Sequence, residues 1–176
     1  MKRAADHSTI PGLDPGIPSR IAIAVESPLQ DDVRALIAEL NAALLALTPA
    51  EFCYHMKPEE LAAPNVTVFV ARSAGRAVAM GALRREGPVG EVKRMYTRPE
   101  VQGQGIGGRI LAAIVDTARA DRLSQLVLET GDRHPAAWRV YERAGFSRCG
   151  PVLDYPDTPY SVFYQMRLAS DLASSG

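Results

Sequence analysis

Cysteine is almost absent from this chain of 176 residues: Cys53 and Cys149 are the only two. So widely separated a pair makes neither a metal-ligand motif nor a disulfide framework, and His7, His55 and His134 are scattered as well. The expectation is free thiols in a reducing compartment and no bound metal. Net charge is missing too, because 20 Lys and Arg balance 20 Asp and Glu. That balance gives no bulk attraction for nucleic acid or for an anionic membrane. No apolar run is long enough to span a bilayer, and Met1-Lys2-Arg3 leads into polar residues instead of the apolar segment of an export signal. A cytoplasmic location follows as the expectation. Internal repeats and low-complexity segments are also lacking.

What is present is an ordinary globular mixture, 47% hydrophobic and 23% charged, which argues against wholesale disorder. The length suits one domain with a sizeable core. Residues 1–19, with Pro11-Gly12, Pro15-Gly16 and Pro18, have no apolar period and read as a poorly ordered tail. Residues 20–169 read as the domain and 170–176 as a C-terminal tail. Ile21 to Val25 is a short first strand. From Asp31, the residues Val33, Leu36, Ile37, Leu40 and Leu44 share one helical face behind two acids in the first turn. Between Thr48 and Asn65 the pattern breaks around Pro49, Pro58 and Pro64, with a short helix from Pro58 to Ala62. Strands at Thr67 to Arg72 and Ala77 to Arg84 flank a hairpin turn, and Gly87-Pro88, with Gly90, separates the second from a strand beginning at Glu91. Gln125 to Thr130 reads as a buried central strand. Pro135 opens a helix that Gly145 stops, and Phe146 to Cys149 and Ser161 to Leu168 are the last strands.

The chain is organised around Gly90 to Ala118, which runs strand, turn, glycine-rich loop, helix. The helix carries Ile106, Ile110, Leu111, Ile114, Val115 and Ala118 on one face. This layout aims several backbone N–H groups and the positive end of a helix at one spot, a place for an anion such as a pyrophosphate. A mononucleotide P-loop is excluded, because no Gly-Lys-Ser/Thr follows. A dinucleotide site has a literal G-x-G-x-x-G in Gly103 to Gly108, with Glu129 as a ribose-binding acid. Against it, Arg98 to Gln102 intervene after the strand, and too little chain follows Glu129 for a second mononucleotide half. A turn that binds nothing would not require so many closely spaced glycines, each of which costs backbone entropy.

A third reading comes from resemblance. Gln102-Gly103-Gln104-Gly105-Ile106-Gly107 resembles the Arg/Gln-x-x-Gly-x-Gly/Ala signature of the GNAT superfamily of N-acetyltransferases. Ala137-Trp138-Arg139-Val140-Tyr141 with Gly145-Phe146 resembles a second signature in family order. The likeness runs from about Ile21 to Leu168, and the segments Leu128 to Gly131 and Asp154 to Phe163 look like a subgroup of small bacterial members whose acceptors are mostly unsettled. The resemblance implies an α/β (α+β) single domain: a mixed sheet of about six to seven strands, splayed in the middle and flanked by about four helices. It implies acetyl transfer from acetyl-CoA to a primary amine by direct attack in a ternary complex, and a homodimer as the default assembly.

Carried over residue by residue, the resemblance implies that Gln102, Gly103, Gln104, Gly105, Gly107 and Gly108 cradle the pyrophosphate through their backbone. Met95 and Thr97 act through main-chain groups on the splayed strand, Met95 N–H also meeting the oxyanion. Tyr141 is the general acid for the departing thiolate. His134 occupies a position where the family usually has an asparagine that bonds the cofactor arm, and Glu91 is the first choice of base, with Glu129 as rival. Acceptor specificity is expected from Phe52 to Lys57 and Asp154 to Tyr160. Lys93, Arg94 and Arg84 hint at a carboxylate-bearing small molecule. A small amine is favoured over a protein tail, since no concentrated acidic stretch could hold a basic peptide. The contrasting function class is a catalytically silent acetyl-CoA-binding module on the same fold.

Overall fold

A computed structural model describes residues 20–168, so the expected tails at 1–19 and 170–176 lie outside the described residues. The helix periods read from the sequence are the ones that pack. Helix α1 (Asp31–Leu47) buries Val33, Leu36, Ile37 and Leu40, and α3 (Ile106–Ala120) buries Ile106, Ile110, Leu111, Ile114, Val115 and Ala118. The short α2 (Pro58–Leu61) has proline in its first turn, where the missing N–H costs nothing, and Glu60 Oε2 accepts from Lys57 N at 2.6 Å. Helix α4 (Pro135–Arg143) likewise starts on proline and buries Tyr141. None of these helices is long and apolar enough to cross a membrane.

The strands are β1 (Ala22–Val25), β2 (Val66–Ser73), β3 (Arg76–Glu86), β4 (Val89–Thr97), β5 (Gln125–Gly131), β6 (Ser147–Cys149) and β7 (Ser161–Arg167). They form one sheet in the order β1-β2-β3-β4-β5-β7-β6, antiparallel except where β4 meets β5. Period-2 alternation sends Val68 and Val70 of β2 to one face, against Val33, Leu36 and Ile37, while Phe69 and Ala71 join the cluster containing Ile110, Leu111 and Ile114 on the other. Both faces of the central strands are therefore apolar, and α1 and α2 cover one while α3 and α4 cover the other. The expected mixed, splayed sheet with four helices is the architecture observed. One boundary differs: β3 and β4 continue to a two-residue turn at Gly87-Pro88, which places Gly90 inside β4. Pro88 has no N–H to give to the ladder, so the turn closes there.

Two features of β4 open a gap in the sheet and bend the strand beside it. Its parallel pairing with β5 spans only Val89↔Gln125, Gly90↔Leu126 and Glu91↔Val127, after which the strands part. On its other side the register with β3 jumps from Ala82↔Lys93 to Met80↔Tyr96, so Arg94 and Met95 bulge opposite Gly81, with Arg94 at φ 55°. Glycine at 81 lets the strands approach this closely, because a Cβ there would lie 2.4 Å from Met95 Sδ and 2.8 Å from Ile110 Cγ2 and would force a neighbour to shift. Polar contacts tie the bulged strand to α1. Arg98 donates to both Glu39 carboxylate oxygens at 3.0 and 2.8 Å, Tyr96 OH donates to Glu39 Oε2 at 3.2 Å, and Arg94 donates to Asn41 Oδ1.

Candidate active site

Where β4 and β5 part, the gap becomes a cavity of about 130 Å³ lined by Glu91, Met95, Glu129, His134, Tyr141 and Tyr155 among others. Glu91 and Met95 come from β4, Glu129 from β5, His134 and Tyr141 from the start and the last part of α4, and Tyr155 from the loop before β7. Five of these six were singled out from the sequence, and the fold brings them to one place although they span residues 91 to 141. Leu40 and Leu44 of α1 close one wall.

Thr97 ends β4, and the glycine loop lies beyond it. Gln102 Nε2 donates to Thr97 O at 3.0 Å and so pins the loop to the strand end. Gly105 caps α3 at φ 76°, a left-handed conformation that an L side chain adopts only with strain. Gln102 N–H is spent on Pro99 O, and Arg109 N–H makes the next turn or cap bond, to Gly105 O. The N–H groups between them are the orphan donors of a helix start. Added Cβ atoms at Gly103, Gly105 and Gly108 would meet nothing within 4 Å, so open space faces the loop. A groove of about 470 Å³ between α3 and α4 passes Gly105, Gly108, Val140 and Arg143. Orphan amides, a helix dipole and clear space fit a diphosphate.

Electrostatics separate the titratable groups. Glu91 is 1% exposed; its Oε1 accepts from Tyr155 OH at 2.6 Å and from Lys93 Nζ at 2.9 Å, while Lys93 Nζ also donates to Tyr155 OH at 2.5 Å. Glu91 Oε2 has no hydrogen-bond partner, and Arg84 Nη1 stands 3.6 Å from it. Burial pushes the Glu129 carboxyl above the usual range, against smaller opposing effects of Ser161 and Lys93. Burial also raises Tyr141 well above an ordinary phenol, so its hydroxyl stays protonated. The Tyr141 ring is held by Tyr164 and Phe146, at centroid distances of 5.9 and 6.1 Å. Burial lowers the His134 pKa and keeps the imidazole neutral; its ring packs on Gly131, and Nε2 is buried without a partner.

One residue escaped the sequence reading and another was given the wrong setting. Tyr155 lies in a segment expected to set specificity, yet nothing marked it as the donor to a carboxylate on a distant strand. Arg94 is 7% exposed, and burial pushes its guanidinium down to about 10. The reading of Lys93, Arg94 and Arg84 as free hooks for a carboxylate is corrected. Lys93 is bound to Glu91 and Tyr155, Arg94 to Asn41, and Arg84 to Glu86.

The acetyltransferase (GNAT) family model matches residues 33–146. The chain belongs to the GNAT family. Among relatives of this GNAT protein, the IAA acetyltransferase of Azospirillum brasilense is 43% identical over 150 residues, covering 84% of this chain and 98% of its own. A crystal structure from Klebsiella pneumoniae, described as a candidate acyl-CoA N-acyltransferase, aligns at 31% identity and TM-score 0.73, covering 86% of this chain and 99% of that one. The yncA acetyltransferase candidate of Salmonella typhimurium, solved with its cofactor acetyl-CoA, shares the fold at TM-score 0.64 and 19% identity, covering 88% and 98%. This GNAT chain is thus an acetyl-CoA-dependent N-acetyltransferase. The dinucleotide reading fails on the same grounds and on topology, since a sheet with a single parallel pair lacks the doubly wound halves such a site needs.

Proposed function

We propose that this enzyme transfers the acetyl group of acetyl-CoA to the primary amine of a small molecule, with Tyr141 as general acid and Glu91 as general base. The observation that carries the reading is the convergence of a buried phenol and a buried carboxylate in the cavity where β4 and β5 part. From Glu91 that cavity continues into a basin of about 630 Å³ bordered by Tyr54, Met56, Arg84, Lys93, Asp154 and Tyr155. The basin is of a size for a small molecule. The relative named IAA acetyltransferase also favours a small acceptor over a protein tail.

Acetyl-CoA, when bound, supplies an activated carbonyl and a thiolate leaving group. The loop from Gln102 to Gly108 would hold its diphosphate, His134 Nε2, buried without a partner, would be available to bond its arm, and the backbone of Met95 and Thr97 would border the same path. An acceptor ammonium entering from the basin would reach Glu91, which borders both the basin and the cavity. Glu91 Oε2 takes its proton, directly or through water, and leaves a neutral nitrogen with a lone pair for the carbonyl. As the carbon–sulfur bond breaks, the nitrogen sheds its second proton to solvent, and Tyr141 gives its hydroxyl proton to the sulfur and recovers one from solvent. The sum is ammonium plus thioester to amide, thiol and one released proton. Glu129, held high by burial, is the competing base.

Release of CoA thiol with a panel of small primary amines tests the reading. Tyr141→Phe should lower kcat on the order of a hundredfold while acetyl-CoA still raises the Tm. The base is whichever of Glu91→Gln and Glu129→Gln abolishes the acidic limb of the kcat/KM profile. Turnover confined to lysine peptides would overturn the small-molecule assignment, and retention of full activity by Tyr141→Phe would overturn the acid.

A further inference from the structure

Resting on the assignment of this site as amine-acetylating, we infer that the acceptor is an amine without a carboxylate, drawn by its positive charge into an acidic, aromatic basin. The basin's charged lining is four carboxylates, Glu60, Glu86, Glu91 and Asp154, against two cations, Arg84 and Lys93. Both cations are already committed. Lys93 is 10% exposed and donates to Glu91 Oε1 and Tyr155 OH; Arg84 pairs with Glu86 and stands 3.6 Å from Glu91. An α-carboxylate on the acceptor would enter a lining with two carboxylates in excess, where each cation already pairs with a glutamate. Drawing Lys93 or Arg84 toward itself, it would weaken the pairing of Glu91, which is 1% exposed.

The same features favour an ammonium. Glu91 Oε2 is buried, has no hydrogen-bond partner, and stands where the basin narrows into the catalytic cavity. A carboxylate lone pair left unused at the end of a polar passage is an acceptor for N–H. Asp154 at the rim is exposed and makes no ion pair among the described residues. Between them, Tyr54 and Tyr155 meet edge to face at 4.9 Å, and Tyr155 already carries one cation against its ring, Lys93 Nζ at 5.2 Å from the centroid. Such rings take the flat or aliphatic body of an amine and attract its charge.

Matched pairs of amino acids and their decarboxylation products, among them tyrosine with tyramine, tryptophan with tryptamine and arginine with agmatine, isolate the carboxylate. Measured by CoA thiol release at pH 8, kcat/KM should favour the decarboxylated member at least tenfold in every pair that turns over. Asp154→Lys should narrow that ratio about threefold or more through a charge at the rim. Equal or better turnover of the amino acids overturns the inference and leaves the amine-acetylating reading intact. Turnover of lysine peptides alone, or of nothing in the panel while acetyl-CoA still raises the Tm, overturns both.

Discussion

Gly81→Ala isolates the contact that sets the bulge in β4. The new Cβ would lie 2.4 Å from Met95 Sδ and 2.8 Å from Ile110 Cγ2. Ordinary carbon contacts begin near 3.5 Å, so the thioether must retreat by about 1 Å. Ile110 is fully buried in α3 and has nowhere to go, whereas Met95 is half-buried and lines the 130 Å³ cavity. Overpacking of this kind costs about 1–3 kcal/mol; the flexible Met95 can yield, but the contact with the fixed Ile110 persists and keeps the cost above the low end of that range. The displaced thioether enters the cavity, and a misplacement of about 1 Å beside reacting atoms can lower turnover up to about a hundredfold. Urea titration reads the first effect, and initial rates of CoA release at varied acetyl-CoA read the second. In a Met95→Ala background the same substitution should cost less by at least about 0.5 kcal/mol, the share of the clash that belongs to Met95, while the Ile110 share remains. A Gly81→Ala protein with an unchanged urea midpoint and unchanged kcat/KM for acetyl-CoA would refute this packing of Gly81 against Met95.

Gln102→Ala removes the bond that pins the glycine loop to Thr97 O; KM for acetyl-CoA should rise about fivefold with kcat little changed, since an exposed neutral bond is worth about 1 kcal/mol. Glu129 has a folded pKa raised above its ordinary 4.5, so the folded protein holds the proton longer and stability falls as pH rises through that window. Glu129→Gln should therefore raise the Tm at pH 7 and leave it nearly unchanged at pH 4, as read by thermal denaturation at the two pH values. Arg72 donates to Glu26, Asp32 and Gly75 O, and it holds both carboxyls below their usual range. That contribution is present at neutral pH and lost as acid protonates them. Arg72→Met should cost about 1–2 kcal/mol at pH 7, discounted for the exposure of Asp32, and much less at pH 3 by urea titration.

The sequence carried the helices and strands because each is written in a local period: Val33 to Leu40 at helical spacing, Val68 to Ala71 on alternating faces. It also carried the convergence of Tyr141, Glu91, Glu129 and His134, since those lie on elements whose order the two motifs fix. What stayed hidden depends on partners rather than on spacing. Arg94 is a charged residue in a strand, which ordinarily signals solvent; only the tertiary structure shows it bulged, buried and bonded to Asn41. Tyr155 and Glu91 are 64 positions apart, and no local pattern links them. The basic look of Arg84 and Lys93 misled for the same reason, because a sequence displays charges but not what neutralises them. Gly81 was legible in principle: an isolated glycine within an apolar strand signals a close approach.

Three register pairs are all that stitch β1–β4 to β5–β7, and they sit at one end of the seam. The seam thus behaves as a clasp with a fixed apex and an open mouth, whose free backbone groups are owed cross-links that no residue of the neighbouring strand supplies. A pantetheine arm, with its two amides, offers the chemistry of a short extended peptide. Lying along Met95 and Thr97 it would complete the sheet in the way a further strand would, so that loading the donor and finishing the fold become a single event.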